Sequence, residues 1–441
     1  MNPQRFLRLV SGAMAALGIS AAAIVALNLR GEDPLPSAET LKPTPALVAQ
    51  GEYLTRLGNC MACHTVQGGA PFAGGRGIET PFGVVYSSNL TPDKATGLGA
   101  WTSAEFWRAM HNGRGKDGRL LYPAFPYTSY THVTREDSDA IFAYLQSLPP
   151  VAQANKAHAL RFPYSTQAAL GVWRALFFTP ADVAQPAASA PQALATAQVP
   201  DYQRGAYLVN GLGHCAACHT PRNSLGAEQQ GQALAGGLIP VQNWLAPALT
   251  DAGQAGVQRW PQADVVALLK TGVAPQASVI GPMAEVVFRS TQYLSDADAR
   301  AMAVYLQALP QHAATPAKQA VAPASVMERG AKVYEAQCAQ CHGAQGQGAK
   351  DEAGQPAFPP LAGNRAVVLA DPTNLVRVVL QGGYLPATAG NPRPHGMPPF
   401  QHLLGDEDVA AVATFVRNSW GNQAAGVGTI EVYRARERRS P

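Results

Sequence analysis

Charge is scarce in this sequence. Of 441 residues, 14% are Asp, Glu, Lys or Arg, against roughly a quarter in an ordinary soluble chain. No block of like charge occurs, which excludes an acidic or basic disordered tail. The net charge of +4 is too mild to argue for nucleic acid, and no nucleic-acid partner is expected. Heptads are missing, glycine does not recur every third residue, and long apolar runs are confined to one place. A coiled coil, a collagen-like fibre and a multi-span transporter are therefore excluded. Also missing are a strand-borne G-x-G-x-x-G, a nucleophile elbow and a phosphate loop, so nothing resembles a substrate pocket. Cysteine is sparse too, but all six cysteines fall in one repeated five-residue pattern. The length suggests about three domains.

The single apolar run lies at the N-terminus. Arg5 and Arg8 precede an uncharged stretch from Leu9 to Leu29, closed by Arg30. About twenty residues suit a membrane-spanning helix. The leading cations place that end inside and the rest of the chain outside. A cleaved signal peptide is the rival reading, with Ala21-Ala22-Ala23 supplying small residues, although the run is long for such a segment. Both readings carry residues beyond 30 across a membrane. The polar, proline-containing spacer from Gly31 to Pro45 argues against a buried core helix.

The cysteines read Cys60-Met61-Ala62-Cys63-His64, Cys215-Ala216-Ala217-Cys218-His219 and Cys338-Ala339-Gln340-Cys341-His342. C-x-x-C-H is the covalent attachment pattern of c-type haem. Two thiols one helical turn apart add to the two vinyl groups, and the following histidine turns its imidazole onto the iron. A thioredoxin-like site needs neither the histidine nor three copies. Structural disulfides leave His64, His219 and His342 unexplained, and zinc sites built from two such pairs do not divide three. Three covalent haem c groups are expected.

The repeat is wider than the signature. Gly51-Glu52-Tyr53-Leu54, Gly205-Ala206-Tyr207-Leu208 and Gly330-Ala331-Lys332-Val333-Tyr334 precede the three sites and predict short leading helices. Each unit closes on an amphipathic helix. These helices carry Thr134 to Asp137 with Tyr144, Ser295 to Asp298 with Tyr305, and Gly405 to Asp408 with Phe415. Thr134 and Ser295 are predicted N-caps. Each aromatic falls seven residues after the last residue of that capping stretch, Asp137, Asp298 or Asp408, on one helix face, and should pack on the leading helix beside its haem. Asn89-Leu90-Thr91-Pro92-Asp93 with Trp101 matches Ala248-Leu249-Thr250-Asp251 with Trp260, so the first two units resemble each other more than the third. The predicted class is all-α: three tandem haem domains behind an apolar helix. The expected divisions are 1–30, 46–150, 151–199 as linker, 200–311, 312–324 as linker, 325–421 and a tail at 422–441. Units of about 100 residues have small cores, and loss of haem should leave each largely unfolded.

Methionine is the expected sixth ligand, because the Met/His pair raises the potential. Met283 in Gly281-Pro282-Met283 and Met397 in His395-Gly396-Met397-Pro398-Pro399 sit in Gly/Pro-rich segments before the closing helices. Met302 and Met327 read as core residues on helices. The first unit has Tyr122-Pro123-Ala124-Phe125-Pro126-Tyr127 at the matching place, and phenylalanine cannot bind iron. Met110, His111, His132 and an open or water-ligated iron stand as its alternatives. His158, His312 and His402 read as solvated, and His214 and His395 as hydrogen-bonding beside a haem.

These motifs, with Ser88-Asn89-Leu90-Thr91-Pro92-Asp93 and Gly211-Leu212-Gly213-His214-Cys215, resemble the triheme cytochrome c subunits of membrane-bound bacterial dehydrogenases, across residues 46–421. The resemblance implies three cytochrome c-like domains at the periplasmic face of the inner membrane. It implies a catalytic partner of the flavo-, quino- or molybdenum type, with ubiquinone or a downstream cytochrome or oxidase as acceptor. The Pro-Ala-Phe-Pro-Tyr form looks like that of cytochrome partners of molybdenum hydroxylases. On this reading the chain conducts single electrons and performs no substrate chemistry itself. The rival reading is a multihaem peroxidase or oxidase using an open first haem, and a third is a soluble shuttle. The aromatic segment from Leu160 to Phe178 either packs across the first two units or docks the catalytic partner.

Overall fold

Glycine decides how the helices cross. The computed structural model describes residues 3–32, 35, 41–185, 188–311, 322–351, 354 and 356–437. Three leading helices, Pro45–Leu57, Val199–Asn210 and Ala324–Gln337, each pack against a closing helix, Arg135–Ser147, Asp296–Gln307 and Asp406–Arg417 respectively. At each crossing the repeated glycine meets the partner's backbone. A Cβ on Gly51 would lie 1.9 Å from the Ala140 carbonyl oxygen, on Gly205 2.0 Å from Ala301, and on Gly330 2.3 Å from Ala411. The Cβ atoms of Tyr144, Tyr305 and Phe415 flank the same three glycines, so the aromatics lie on the leading helices as the seven-residue spacing predicts. Thr134 and Ser295 accept from the amides of Asp137 and Asp298 and cap their helices.

The first two units share one continuous apolar core, running from Leu54 and Ile141 to Leu208 and Met302. Their contacts are reciprocal. The Tyr53 hydroxyl donates to Asp298 (2.6 Å) and accepts from the Ser295 amide (3.3 Å). The Tyr207 hydroxyl donates to Asp137 (2.6 Å) and accepts from the Thr134 amide (3.2 Å). The tyrosine of each G-x-Y-L motif thus binds the capped end of the other unit's closing helix. The third unit has Lys332 there and builds separate cores around Val376 and Val409 and around Tyr334 and Val412. It meets the second unit through Asn374, which donates to Leu245 O and accepts from Leu245 N, and through Asn364, which donates to Ser278 Oγ (3.1 Å).

The architecture is helix-rich, with short antiparallel sheets that the sequence pattern did not announce. Gly77–Thr80 pairs with Gly83–Tyr86, which Ala159–Leu160 joins as a third strand. Strands of two to four residues are too short to impose a readable period. Part of the expected linker from 151 is folded. Its first part folds onto unit one, where Asn89 donates to Val151 O (2.8 Å), and then forms a helix, Gln167–Phe177. The C-terminal tail likewise forms a helix, Thr429–Glu437, which buries Val432 and Ala435 on the third unit. Most of the second expected linker, including His312, lies outside the described residues.

The N-terminal apolar stretch is helical from Pro3 to Asn28. It stands off the globular body until its last turn, where Asn28 is buried against the Gln167–Phe177 helix.

Candidate haem sites

Each C-x-x-C-H signature folds as a single helical turn: Cys60–His64, Ala216–His219 just after Cys215, and Ala339–His342 just after Cys338. Residues three apart on such a turn share a face, so both thiols of each pair point to one side and the histidine follows from the turn's end. Burial pushes the thiols of Cys60 and Cys215 up to about 12 and that of Cys338 up to about 11. Thiols kept neutral in this way are poor metal ligands.

All three histidines make the same second bond. His64 Nδ1 lies 2.7 Å from Ser88 O, His219 Nδ1 2.7 Å from Pro247 O, and His342 Nδ1 3.1 Å from Pro359 O. A carbonyl can only accept, so Nδ1 carries the proton and Nε2 is left with its lone pair outward for a metal. Burial also lowers the pKa of each imidazole and keeps it neutral. The acceptors sit in one register, Ser88-Asn89-Leu90, Pro247-Ala248-Leu249 and Pro359-Pro360-Leu361. Sequence reading found the Asn89-Leu90-Thr91 repeat but missed that the residue before it holds the histidine.

The loop behind each histidine is also triplicate. Gly74, Gly236 and Gly348 donate to the carbonyls of His64, His219 and His342, at φ of 75, 79 and 70°. A Cβ on Gly74 would fall 2.4 Å from the Ser88 carbonyl carbon. Two residues earlier Phe72, Leu234 and Gly346 all take the left-handed conformation, at φ of 61, 58 and 63°. Their carbonyls accept from Leu90, Leu249 and Leu361.

In the third unit Cys338, His342 and Met397 line one apolar cleft, with Ser278 and Ile280 of the second unit in its wall. Thiol, imidazole and thioether on one apolar cavity fit a covalent haem c with His/Met ligation. Met397 lies on strand Gly396–Met397, held by pairing with Gly383–Tyr384. Met283 is half-buried in the first turn of the helix Pro282–Arg289, where a loop was expected. Proline at the first helical position, after Gly281 at φ 55°, starts that helix. Its Glu285 pairs with Arg76 at 3.5 Å, and Arg76 also donates to Ala62 O inside the first attachment turn.

Met110 and His111 lie on the helix Ser103–Asn112. Met110 is buried in the shared core, and the buried His111 ring is stacked on Trp107 at 4.5 Å. Phe125 packs on Tyr130 at 5.3 Å, and the Tyr130 hydroxyl donates to Gly58 O, two residues before Cys60. The His214 ring meets Tyr130 edge-on at 5.7 Å and ties the first two attachment turns together. His132 sits against Gly211 of the second unit. His158 is exposed and accepts from the Tyr86 amide; His402 is exposed.

The family model for cytochrome c matches residues 48–149, 202–310 and 327–420. The chain belongs to the cytochrome c family. This cytochrome is 39% identical over 426 residues to the cytochrome c subunit of a quinone-type alcohol dehydrogenase from Gluconacetobacter polyoxogenes, covering 92% of this chain and 87% of the relative. It is 39% identical over 401 residues to the gluconate 2-dehydrogenase cytochrome c subunit of Pantoea cypripedii, covering 88% of each. It is 40% identical over 382 residues to a nicotinate dehydrogenase subunit from Pseudomonas putida, covering 85% of this cytochrome and 30% of that longer protein. A cytochrome c fold built around haem, acting in electron transport, accounts for the three attachment turns.

Proposed function

We propose that the chain holds three covalent haem c groups in three tandem domains, 46–150, 200–311 and 325–421. It relays single electrons from a catalytic dehydrogenase subunit to ubiquinone or a downstream cytochrome. The observation that carries this reading is the attachment turn with its His Nδ1–carbonyl bond, present three times. Bound haem iron supplies one-electron reduction and oxidation. The protein's own residues do the rest. Cys60 and Cys63, Cys215 and Cys218, and Cys338 and Cys341 form the thioethers, while His64, His219 and His342 present Nε2 as proximal ligands. Met283 and Met397 are the sixth ligands of the second and third sites. For the first site the ligand is Met110, His111 or His132, or the position is open or water-ligated, and single variants read by near-infrared magnetic circular dichroism decide among them.

Intact mass and pyridine haemochrome measurements test the count. Three haems per chain are expected, and two or fewer overturn the reading. The dehydrogenase partner is supported by the names of the relatives. Identities of 39, 39 and 40% do not separate quinone, gluconate and nicotinate systems, so the partner type is read by co-purification followed by flavin, quinone and molybdenum analysis. Absence of any dehydrogenase subunit from the purified membrane complex would sink the partnership. The relatives named above are dehydrogenase subunits and do not favour the peroxidase reading, and a reduced protein with no carbon monoxide shift would close it.

Anchoring at the periplasmic face of the inner membrane is part of the same proposal. Asn28 donates to Gly171 O (2.9 Å) and accepts from Arg174 Nε (3.0 Å). Asn112 donates to Gly31 O (3.0 Å), and Arg114 pairs with Glu32 at 2.6 Å. These contacts tie the end of the apolar helix to the globular body and support its retention over cleavage. N-terminal sequencing of the mature chain distinguishes the two.

A further inference from the structure

The helix Gln167–Phe177 is built inside out. Its one charged residue, Arg174, is 3% exposed and is spent inward on Asn28 Oδ1 and Asn112 O. Leu170, Gly171 and Arg174 face the protein. The opposite face carries Ala168, Val172 and Leu176, at the i, i+4, i+8 spacing of one stripe. All three are exposed, Leu176 by 60%. A helix facing water places polar side chains on that stripe, and this one has none.

Its position says what covers the stripe. A Cβ on Gly171 would lie 3.9 Å from Ile24 Cγ2 and 3.9 Å from Asn28 Nδ2. Ile24 belongs to the apolar span Val10–Asn28. Ile24 is four residues short of the span's end, about 6 Å along a helix axis. Interfacial helices bury an apolar face about 5–10 Å into the boundary between headgroups and acyl chains. The two depths agree. Trp173, the aromatic suited to that boundary, donates its indole N–H to Leu225 O of the second unit at 2.9 Å, so the helix is fixed to both units that flank it.

We propose that Gln167–Phe177 is a second membrane contact, lying in the outer boundary of the bilayer with Ala168, Val172 and Leu176 against lipid. Joined to the spanning helix, it fixes the tilt of the first two units over the membrane, which one helix alone leaves free to swivel. The inference rests on the anchoring reading above and goes beyond it.

The test uses the full haem-loaded chain in vesicles of phosphatidylcholine and phosphatidylglycerol. Nitroxides are placed separately at Leu176→Cys, at Leu17→Cys within the span and at Glu335→Cys on the third unit, with haem content as the check on folding. Collision with oxygen, which partitions into lipid, is compared with collision with a water-soluble nickel chelate. The proposal expects an oxygen-to-nickel ratio at Leu176 several-fold above that at Glu335, together with a lipid signature at Leu17. A water-like ratio at Leu176 with lipid at Leu17 overturns the second contact and leaves the anchor intact. Low collision with both probes at Leu176 means that protein covers the stripe, and overturns it as well. A water-like ratio at Leu17 removes the anchor reading and this inference with it.

Discussion

At the scale of single residues, the sites depend on where backbone atoms are held. Gly74 keeps the Ser88 carbonyl against His64, because its φ of 75° and missing side chain leave room for it. Gly74→Ala is expected to cost about 1–3 kcal/mol, through strain at positive φ and collision with Ser88. Denaturant unfolding measures this, and an unchanged midpoint would contradict the account. Met397→His should keep a six-coordinate low-spin haem in the third unit while removing that haem's share of the far-red Met–iron charge-transfer band, the share from the Met283 site remaining. It should also lower the midpoint potential, since the Met/His pair raises it. An optical redox titration that finds band and potential unchanged would exclude Met397 as a ligand. The three C-x-x-C-H turns were legible in the sequence, because the spacing of cysteines and histidine is local. The carbonyls behind the histidines were not, since any residue supplies a carbonyl.

At the scale of elements, the helix crossings and the reciprocal tyrosines carry the load. Gly205→Ala would drive a methyl group into the Ala301 carbonyl at 2.0 Å. Overpacking of this kind costs about 1–3 kcal/mol, read as a lowered Tm. Asp298 is the charged centre of one cross-unit contact. Burial pushes its carboxyl up, but bonds from Arg204 and Tyr53 outweigh that and hold it below the ordinary carboxylate value. A depressed folded-state value stabilises the fold fully above about pH 4 and loses that contribution as pH falls through it. Thermal melts from pH 6 down to pH 3 should therefore show an acid-side decline that Asp298→Asn flattens. The same substitution should cost roughly 1.5–3 kcal/mol at neutral pH, as for hydrogen bonds to a charged group. The helices and two of their caps were readable from periodicity and from Thr134 and Ser295. The cross-unit bonds were not, because Tyr53 and Asp298 are 245 residues apart and nothing local links them.

For the whole molecule, the three repeats are not three equal beads. The first two close on a common core and on each other's helix ends, while the third docks through Asn364 and Asn374. A chain ending at residue 311 is expected to fold and to hold two haems, whereas one ending at residue 150 should not fold. Pyridine haemochrome and circular dichroism on the two truncations check this, and a folded, haem-loaded 1–150 fragment would refute the shared core. Composition suggested a slack linker after residue 150 because Ala, Pro and Gln dominate further along, from Pro180. The aromatics from Leu160 to Phe178 offered packing across the first two units as one reading, and 151–178 does return to the first unit; its contact with the end of the apolar helix through Gly171 and Arg174 was not readable from composition.

The acceptors behind the three histidines belong to Ser88, Pro247 and Pro359. No single codon change can delete a main-chain oxygen. These positions are free to vary in side chain while the proton they hold on each imidazole stays where it is, and a mutational scan that replaces side chains one at a time would pass over them.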